Sequence, residues 1–206
     1  MRDNTIKQSI YNEIEKLPCG SVFVASDFLD FAGNDAIKQN LKRFADEGFI
    51  QRIAFGLYYK PKFSELLQEN EAVDLNEAAK AIARNYNWSI TPSGENSLNM
   101  LGLSTQVPAR YEFISSGPYR EYCIDNMPIR FLHRNLKETQ GFSPVTALVI
   151  QALKSIGKDN ISPKHIEILK NRLNSENKAI LLSESKRTTA WIYQTIRDIC
   201  SEDRNV

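Results

Sequence analysis

Residues 21–60, SVFVASDFLDFAGNDAIKQNLKRFADEGFIQRIAFGLYYK, constrain the fold more than any other stretch of this chain. Ile37, Leu41 and Phe44 recur at helical spacing, which predicts a helix from about Asp35 to Glu47 with one face turned inward. Gly48 follows as a natural C′ residue. Gly33-Asn34 precedes it, a pair suited to a left-handed turn and to capping the helix. At ~100° per residue, Gln39, Lys42 and Arg43 point away from the apolar face, with Asp35 beside them and Lys38 adding to the basic run. After Gly48, residues 49–53 alternate and are rich in strand formers. Ala54-Phe55-Gly56 supplies a turn, and Leu57-Tyr58-Tyr59 returns as a second strand. The pattern reads as a helix-turn-helix followed by a β-hairpin wing.

A helix seated on its apolar side and offering Gln, Lys and Arg outward fits a major groove, where Gln39 and Arg43 can reach base edges and Lys42 a phosphate. Arg52 and Lys60, with Lys62 nearby, would add backbone contacts from the wing. Residues 36–62 hold six Lys or Arg against two Asp or Glu, whereas the whole chain carries only +1. The basic character is therefore a local patch, as a DNA reader needs. The same build also serves in protein-docking modules, in which case these charges are an ordinary solvated face.

A length of 206 residues suits one large or two small domains. No apolar run is long enough for a membrane span, and the charged, amphipathic start MRDNTIKQSIYNEIEKL lacks the apolar core of a signal peptide. Cys19, Cys123 and Cys200 are odd in number and far apart, which favours a reducing compartment, the cytoplasm. With no CxxC pair and only His133 and His165, a structural zinc site is not expected. No metal and no cofactor are expected.

Along the chain, Ile6, Ile10, Ile14 and Leu17 predict a first helix over 4–17. Ser26 is placed to cap a short second helix through Phe31. The acidic, weakly patterned 63–73 reads as a linker, so the expected domains are 1–62, a winged helix-turn-helix, and 74–206. Asp74-Leu75-Asn76-Glu77 opens a helix as a capping-box pattern. Strands are expected at 88–90, 111–115, 120–124 and 129–133, the last three as an antiparallel meander turned by Gly117-Pro118 and Asp125-Asn126. Ser143-Pro144 and Ser162-Pro163 each open a helix with proline at its first position. A last helix over about 188–200 carries Trp191, Ile192, Ile196 and Ile199, its apolar stripe either core or an assembly surface. The fold class is α+β: an N-terminal winged helix-turn-helix, then a mixed domain with a small antiparallel sheet and several helices.

Enzyme readings are weak. Cys123, Asp125 and His133 lie on neighbouring predicted strands, but a strand cysteine is more simply a small core residue. Glu184-Ser185-Lys186 matches half of a nuclease metal site without a partner aspartate. Pro92-Ser93-Gly94-Glu95 lacks the flanking glycine of a nucleophile elbow, and there is no phosphate-binding glycine loop. Asn96, Asn99, Ser104, Thr105 and Gln106 sit among Leu98, Leu101, Leu103 and Val107. They read as polar groups bonding the backbone of a buried loop, with a ligand-binding loop as the alternative.

Residues 78–131 carry a more specific signal. Pro92-Ser93-Gly94, then LNMLGLSTQVPA at 98–109, the Ser-x-Gly-Pro turn at 115–118 and the strand ending in Phe131-Leu132-His133 resemble the second domain of AbiEi-like antitoxins. Proteins of that family typically place a winged helix before this domain, in the order expected here. The resemblance covers about residues 5–140. It implies a DNA-binding autorepressor acting on its own promoter and an antitoxin that counteracts a nucleotidyltransferase-like toxin in a type IV abortive-infection system. One winged helix buries little DNA surface, so tight operator binding would need two copies, a homodimer on the DNA. The family is described as acting without a stable toxin–antitoxin complex. The alternative from the residues alone is an interaction or ligand-sensing module whose winged helix docks protein.

Overall fold

The computed structural model describes residues 2–134 and 141–201. The chain is a mixed α+β protein with small sheets, divided into two compact units. The first comprises residues up to Trp88 together with Tyr122–Ile129; the second comprises Ser89–Glu121 and the described residues from Arg130 on.

In the first unit, α1 (Arg2–Lys16) is followed by β1 (Val22–Val24) and a single 3₁₀ turn, Ala25–Phe28. The expected helix capped by Ser26 does not form. Val22, Phe23 and Val24 are all buried and pair with a later strand, so the backbone is extended up to Val24. Asp27 then accepts the Val24 N–H at 3.0 Å, while the Ser26 hydroxyl faces Asn85. Next comes α2 (Asn34–Asp46), with Gly33 as its N-cap at φ −65°, an ordinary extended conformation rather than the expected left-handed turn. Gly48 does take the left-handed conformation, at φ +77°. Strands β2 (Gln51–Ala54) and β3 (Leu57–Tyr59) form a hairpin, and β1 joins antiparallel on the other side of β3, giving the order β1–β3–β2. Ile10, Ile14, Phe23, Phe28, Ile37, Leu41, Phe44, Ile50 and Tyr58 form the core beneath.

The segment 63–73 is not a bare linker. It contains a two-stranded hairpin, β4 (Phe63–Ser64) and β5 (Glu69–Asn70). Nor does a new unit begin at residue 74. Helix α3 (Leu75–Asn85), capped by Asp74 as expected, packs on β1 and belongs to the first unit. Its Ala78, Ala79 and Ala81 are buried, and Arg84 makes a two-pronged 2.8 Å pair with Asp27. Small residues let the helix approach the sheet closely, and the exposed Arg84 at its last turn pairs with the Asp27 carboxylate. The boundary expected at 63–73 therefore moves to 88/89. Part of the domain expected at 74–206, residues 135–140 and 202–206, lies outside the described residues.

In the second unit, β6 (Ile90–Ser93) pairs antiparallel with β7 (Tyr111–Ser115), and α4 (Gly94–Met100) leaves directly from β6. Strands β8 (Arg120–Ile124) and β9 (Met127–His133), whose residues 122–129 group with the first unit, complete a sheet of order β6–β7–β9–β8, so the expected meander is not formed. Ile129 and Phe131 of the inner strand β9 are fully buried, whereas Arg120, Glu121 and Cys123 of the edge strand β8 are exposed. Among the described residues four α-helices follow, α5 (Pro144–Ile156), α6 (Pro163–Arg172), α7 (Ser175–Glu184) and α8 (Ala190–Cys200). Helix α7 is not legible in the sequence pattern. The apolar stripe of α8 is core: Ile192, Ile196 and Ile199 are buried with Val149, Leu153, Leu169 and Leu181, and Trp191 packs against them.

Candidate nucleic-acid interface

The interface expected from sequence is built on α2. Ile37, Leu41 and Phe44 are fully buried and fix the rotation of the helix about its axis. Lys38, Gln39, Lys42 and Arg43 are consequently exposed. Asp35 and Asp46 bracket that face at either end, so its positive charge is concentrated in the middle turns of the helix. The helix is further held by Lys7, whose ammonium lies 2.8 Å from Glu47 and 5.4 Å from the centre of the Phe44 ring. Asn40 escaped the sequence reading, since asparagine on a helix is ordinarily taken as surface. It is buried at 1% exposure, donates to the Ala36 carbonyl oxygen at 2.9 Å, and leaves its own carbonyl oxygen without a described partner.

The β2–β3 hairpin positions Arg52 and not Lys60. Register runs Gln51 to Tyr59, Arg52 to Tyr58 and Ala54 to Leu57, so Ile53 is an extra residue, a bulge that twists the hairpin towards its tip. The Arg52 guanidinium is exposed and lies 5.4 Å from the centre of the Phe55 ring. Beside it Tyr58 is buried; that burial raises its pKa, and the charge of Arg52 acts the other way. Lys60, expected to reach DNA from the wing, instead closes the end of α1. Its ammonium donates to the carbonyl oxygens of Glu15 at 2.8 Å and Leu17 at 2.7 Å. These are the orphan acceptors that every helix end presents, and a cation there also opposes the helix dipole. Lys62 is likewise engaged, with Glu71 at 2.9 Å.

The sequence reading missed Phe55, which is 91% exposed at the hairpin tip. The available signal was an aromatic residue before glycine in a two-residue turn.

The other candidates resolve locally. Cys123 is exposed rather than core. Asp125 and Asn126 form the turn at one end of β9, both with positive φ, whereas His133 lies at the other end of that seven-residue strand, ~20 Å away. The His133 Nδ1–H donates to the Gly117 carbonyl oxygen at 2.8 Å. The three do not form a triad. Glu184 is a cap: its carboxylate accepts the Ser143 N–H and hydroxyl, each at 2.9 Å, at the start of α5. Burial acts to raise its pKa, but the hydrogen bonds from Thr146 and Ser143 and the charge of Arg187 outweigh it and hold the group below the ordinary carboxylate value. In the loop after α4, the Asn99 amide donates to the Gln106 carbonyl oxygen at 2.6 Å and Ser104 accepts the Gln106 N–H, so these groups bond backbone as expected, but the loop is largely exposed rather than buried, with Thr105, Gln106 and Val107 all at the surface. Among the described residues no cluster of three or more His, Cys, Asp or Glu is placed to hold a metal ion, and no helix is long and apolar enough to cross a membrane.

The family described as "Family of unknown function (DUF6088)" matches residues 9–181 of the chain. No curated protein matches it. Among solved structures, the RV2827C protein from Mycobacterium tuberculosis is similar at 13% identity and a TM-score of 0.43, over 95% of this chain and 76% of that one. That likeness supports no inference about activity.

Proposed function

The chain belongs to the DUF6088 family of unknown function; from the residues of its first unit and the resemblance noted above, we propose that it is a DNA-binding transcriptional autorepressor and the antitoxin of a type IV toxin–antitoxin system. The first unit is read as a winged helix-turn-helix, with α2 as the recognition helix and β2–β3 as the wing. The observation that carries this reading is the two-sidedness of α2: a fully buried Ile37-Leu41-Phe44 stripe opposite exposed Lys38, Gln39, Lys42 and Arg43. Such a helix has its packing satisfied on one side and offers amide and cationic groups on the other, as major-groove readout requires. Arg52 supplies a backbone contact from the wing. Lys60 leaves the set because its ammonium is bonded within the protein.

The antitoxin half of the proposal rests on the resemblance of residues 78–131 to the AbiEi-like second domain. The toxin opposed is nucleotidyltransferase-like, and growth rescue is expected without a stable complex between the two proteins. A single unit of this size covers little DNA, so two copies would bind a repeated or palindromic site spaced by helical turns. The cytoplasm is the proposed location. The test is binding to the region upstream of its own gene. Salt-dependent binding that is at least tenfold tighter than to random duplex supports the proposal; equal binding to both, or none, removes it.

One observation favours a second reading, a protein-interaction module. The β4–β5 hairpin exposes Phe63, Leu66 and Leu67, with Leu66 at 91%. The same binding assay separates the two, since a protein-docking unit would retard no DNA.

A further inference from the structure

We propose that Phe55 is a wedge that enters a base-pair step of duplex DNA from the tip of the β2–β3 hairpin, with Arg52 held beside it as its cationic companion. The proposal rests on the DNA-binding reading above and adds a mode of contact to it. The tip is unusually bare. Ala54 offers a methyl group, Gly56 offers no side chain, and Leu57 is turned into the core at 2% exposure. Phe55 alone projects. Gly56 sits at φ +72° with nothing within 4 Å of where a Cβ would lie, so glycine is required by the turn and not by packing, and it keeps the tip slim. A slim two-residue tip fits a minor groove about 6 Å wide.

The ring is held out in water rather than left loose. The turn residues Ala54 to Leu57 line a cleft with Ile82, Asn85 and Tyr86 of the α3 end and with Tyr122, all of the same unit, so the base of the tip is supported. The Ile53 bulge adds twist below it. A large flat apolar group so exposed gains free energy when a partner buries it. The charge beside the ring indicates which partner: the exposed Arg52 guanidinium lies over the Phe55 ring, and no Asp or Glu occurs between residues 48 and 64. An anionic surface with narrow apolar slots between flat faces fits this pair, and a base-pair step flanked by phosphates is such a surface. Apolar wedges of this kind partly unstack a step and kink the duplex, and pyrimidine–purine steps yield most readily.

The test needs no knowledge of the operator. Binding of the full chain is measured by fluorescence anisotropy on a 25-bp duplex of random sequence, intact or carrying one central abasic site, with 2-aminopurine beside that site. A wedge has less unstacking to do at the weakened step, so the wild type should prefer the abasic duplex by about tenfold, with a change in 2-aminopurine emission. Phe55→Ala should bring the ratio to within twofold while keeping the salt dependence of binding to intact duplex, and Phe55→Trp should retain the ratio. Lys42→Ala, which removes a phosphate contact, should weaken binding to both duplexes without changing the ratio. If Phe55→Ala keeps the full ratio, or the wild type shows none while still binding DNA in a salt-dependent way, the wedge is wrong and the DNA-binding reading stands. If the wild type binds neither duplex, both are wrong, and Phe55 belongs to a protein contact.

Discussion

The ammonium of Lys60 lies within 2.8 Å of two backbone carbonyl oxygens at the open end of α1. Lys60→Met keeps the aliphatic stem and removes those bonds, so it should lower unfolding free energy by about 1–2 kcal/mol in urea titrations. The salt dependence of DNA binding should not change. Arg52→Ala should do the reverse, leaving stability nearly intact and reducing the slope of log K against log salt by about 1. A slope altered by Lys60→Met and untouched by Arg52→Ala would return the wing contact to Lys60. On α2, Arg43→Ala should relax sequence preference, costing about 1–3 kcal/mol of discrimination, whereas Lys42→Ala should weaken specific and random duplexes alike. Equal effects of both variants on both duplexes would show that α2 does not read bases.

Helix ends in the second unit are fastened by contacts between elements. The first turn of α5 is capped twice, by the Ser143 hydroxyl accepting the Thr146 N–H and by Glu184, at the end of α7, accepting from Ser143. Ser143→Ala removes both hydroxyl contacts and should cost about 1 kcal/mol. Glu184 carries a pH signature. Its folded pKa lies below the unfolded value, so its contribution is present in full above the ordinary carboxylate range and is lost as pH falls through the folded pKa. The stability gap between wild type and Glu184→Gln should therefore be open at neutral pH and close as the pH falls below the ordinary carboxylate range and through the folded pKa. A gap that widens on acidification would mean that Glu184 is not held in its charged form.

At the scale of the molecule, the first unit needs α3. Leu75, Ala78, Ala79, Ala81 and Ile82 are buried, α3 packs on β1, and Arg84 is bound to Asp27. A fragment of residues 1–62 should therefore be less stable than one of residues 1–88 by at least about 2–3 kcal/mol, roughly one or two aliphatic side chains' worth of burial. Circular dichroism through a urea titration measures this, and equal midpoints would show that α3 is dispensable. Experiments assigning DNA binding and toxin neutralisation to separate parts should cut after residue 88, keeping in mind that residues 122–129 group with the first unit.

The sequence by itself determined what depends on near neighbours. Helical spacing placed Ile37, Leu41 and Phe44 inward and so exposed Gln39, Lys42 and Arg43. The Asp74, Ser143 and Ser162 caps, the left-handed Gly48 and the Asp125-Asn126 turn were likewise legible, because each is decided within about one turn of chain. The tertiary structure decided whatever depends on a distant partner. Lys60 reads as a wing cation until the carbonyl oxygens of α1, more than forty residues earlier, are seen to hold it. Helix α3 reads as the start of a new domain until its alanines are seen against β1. The order β6–β7–β9–β8 is a property of the whole sheet, which leaves the largely exposed β8 at an edge. Phe55 stands exposed only because Ala54, Gly56 and the inward Leu57 leave nothing beside it. Local geometry is set by covalent spacing and propensity, whereas partner choice among like-charged or apolar residues is settled only when separate segments compete for the same buried space.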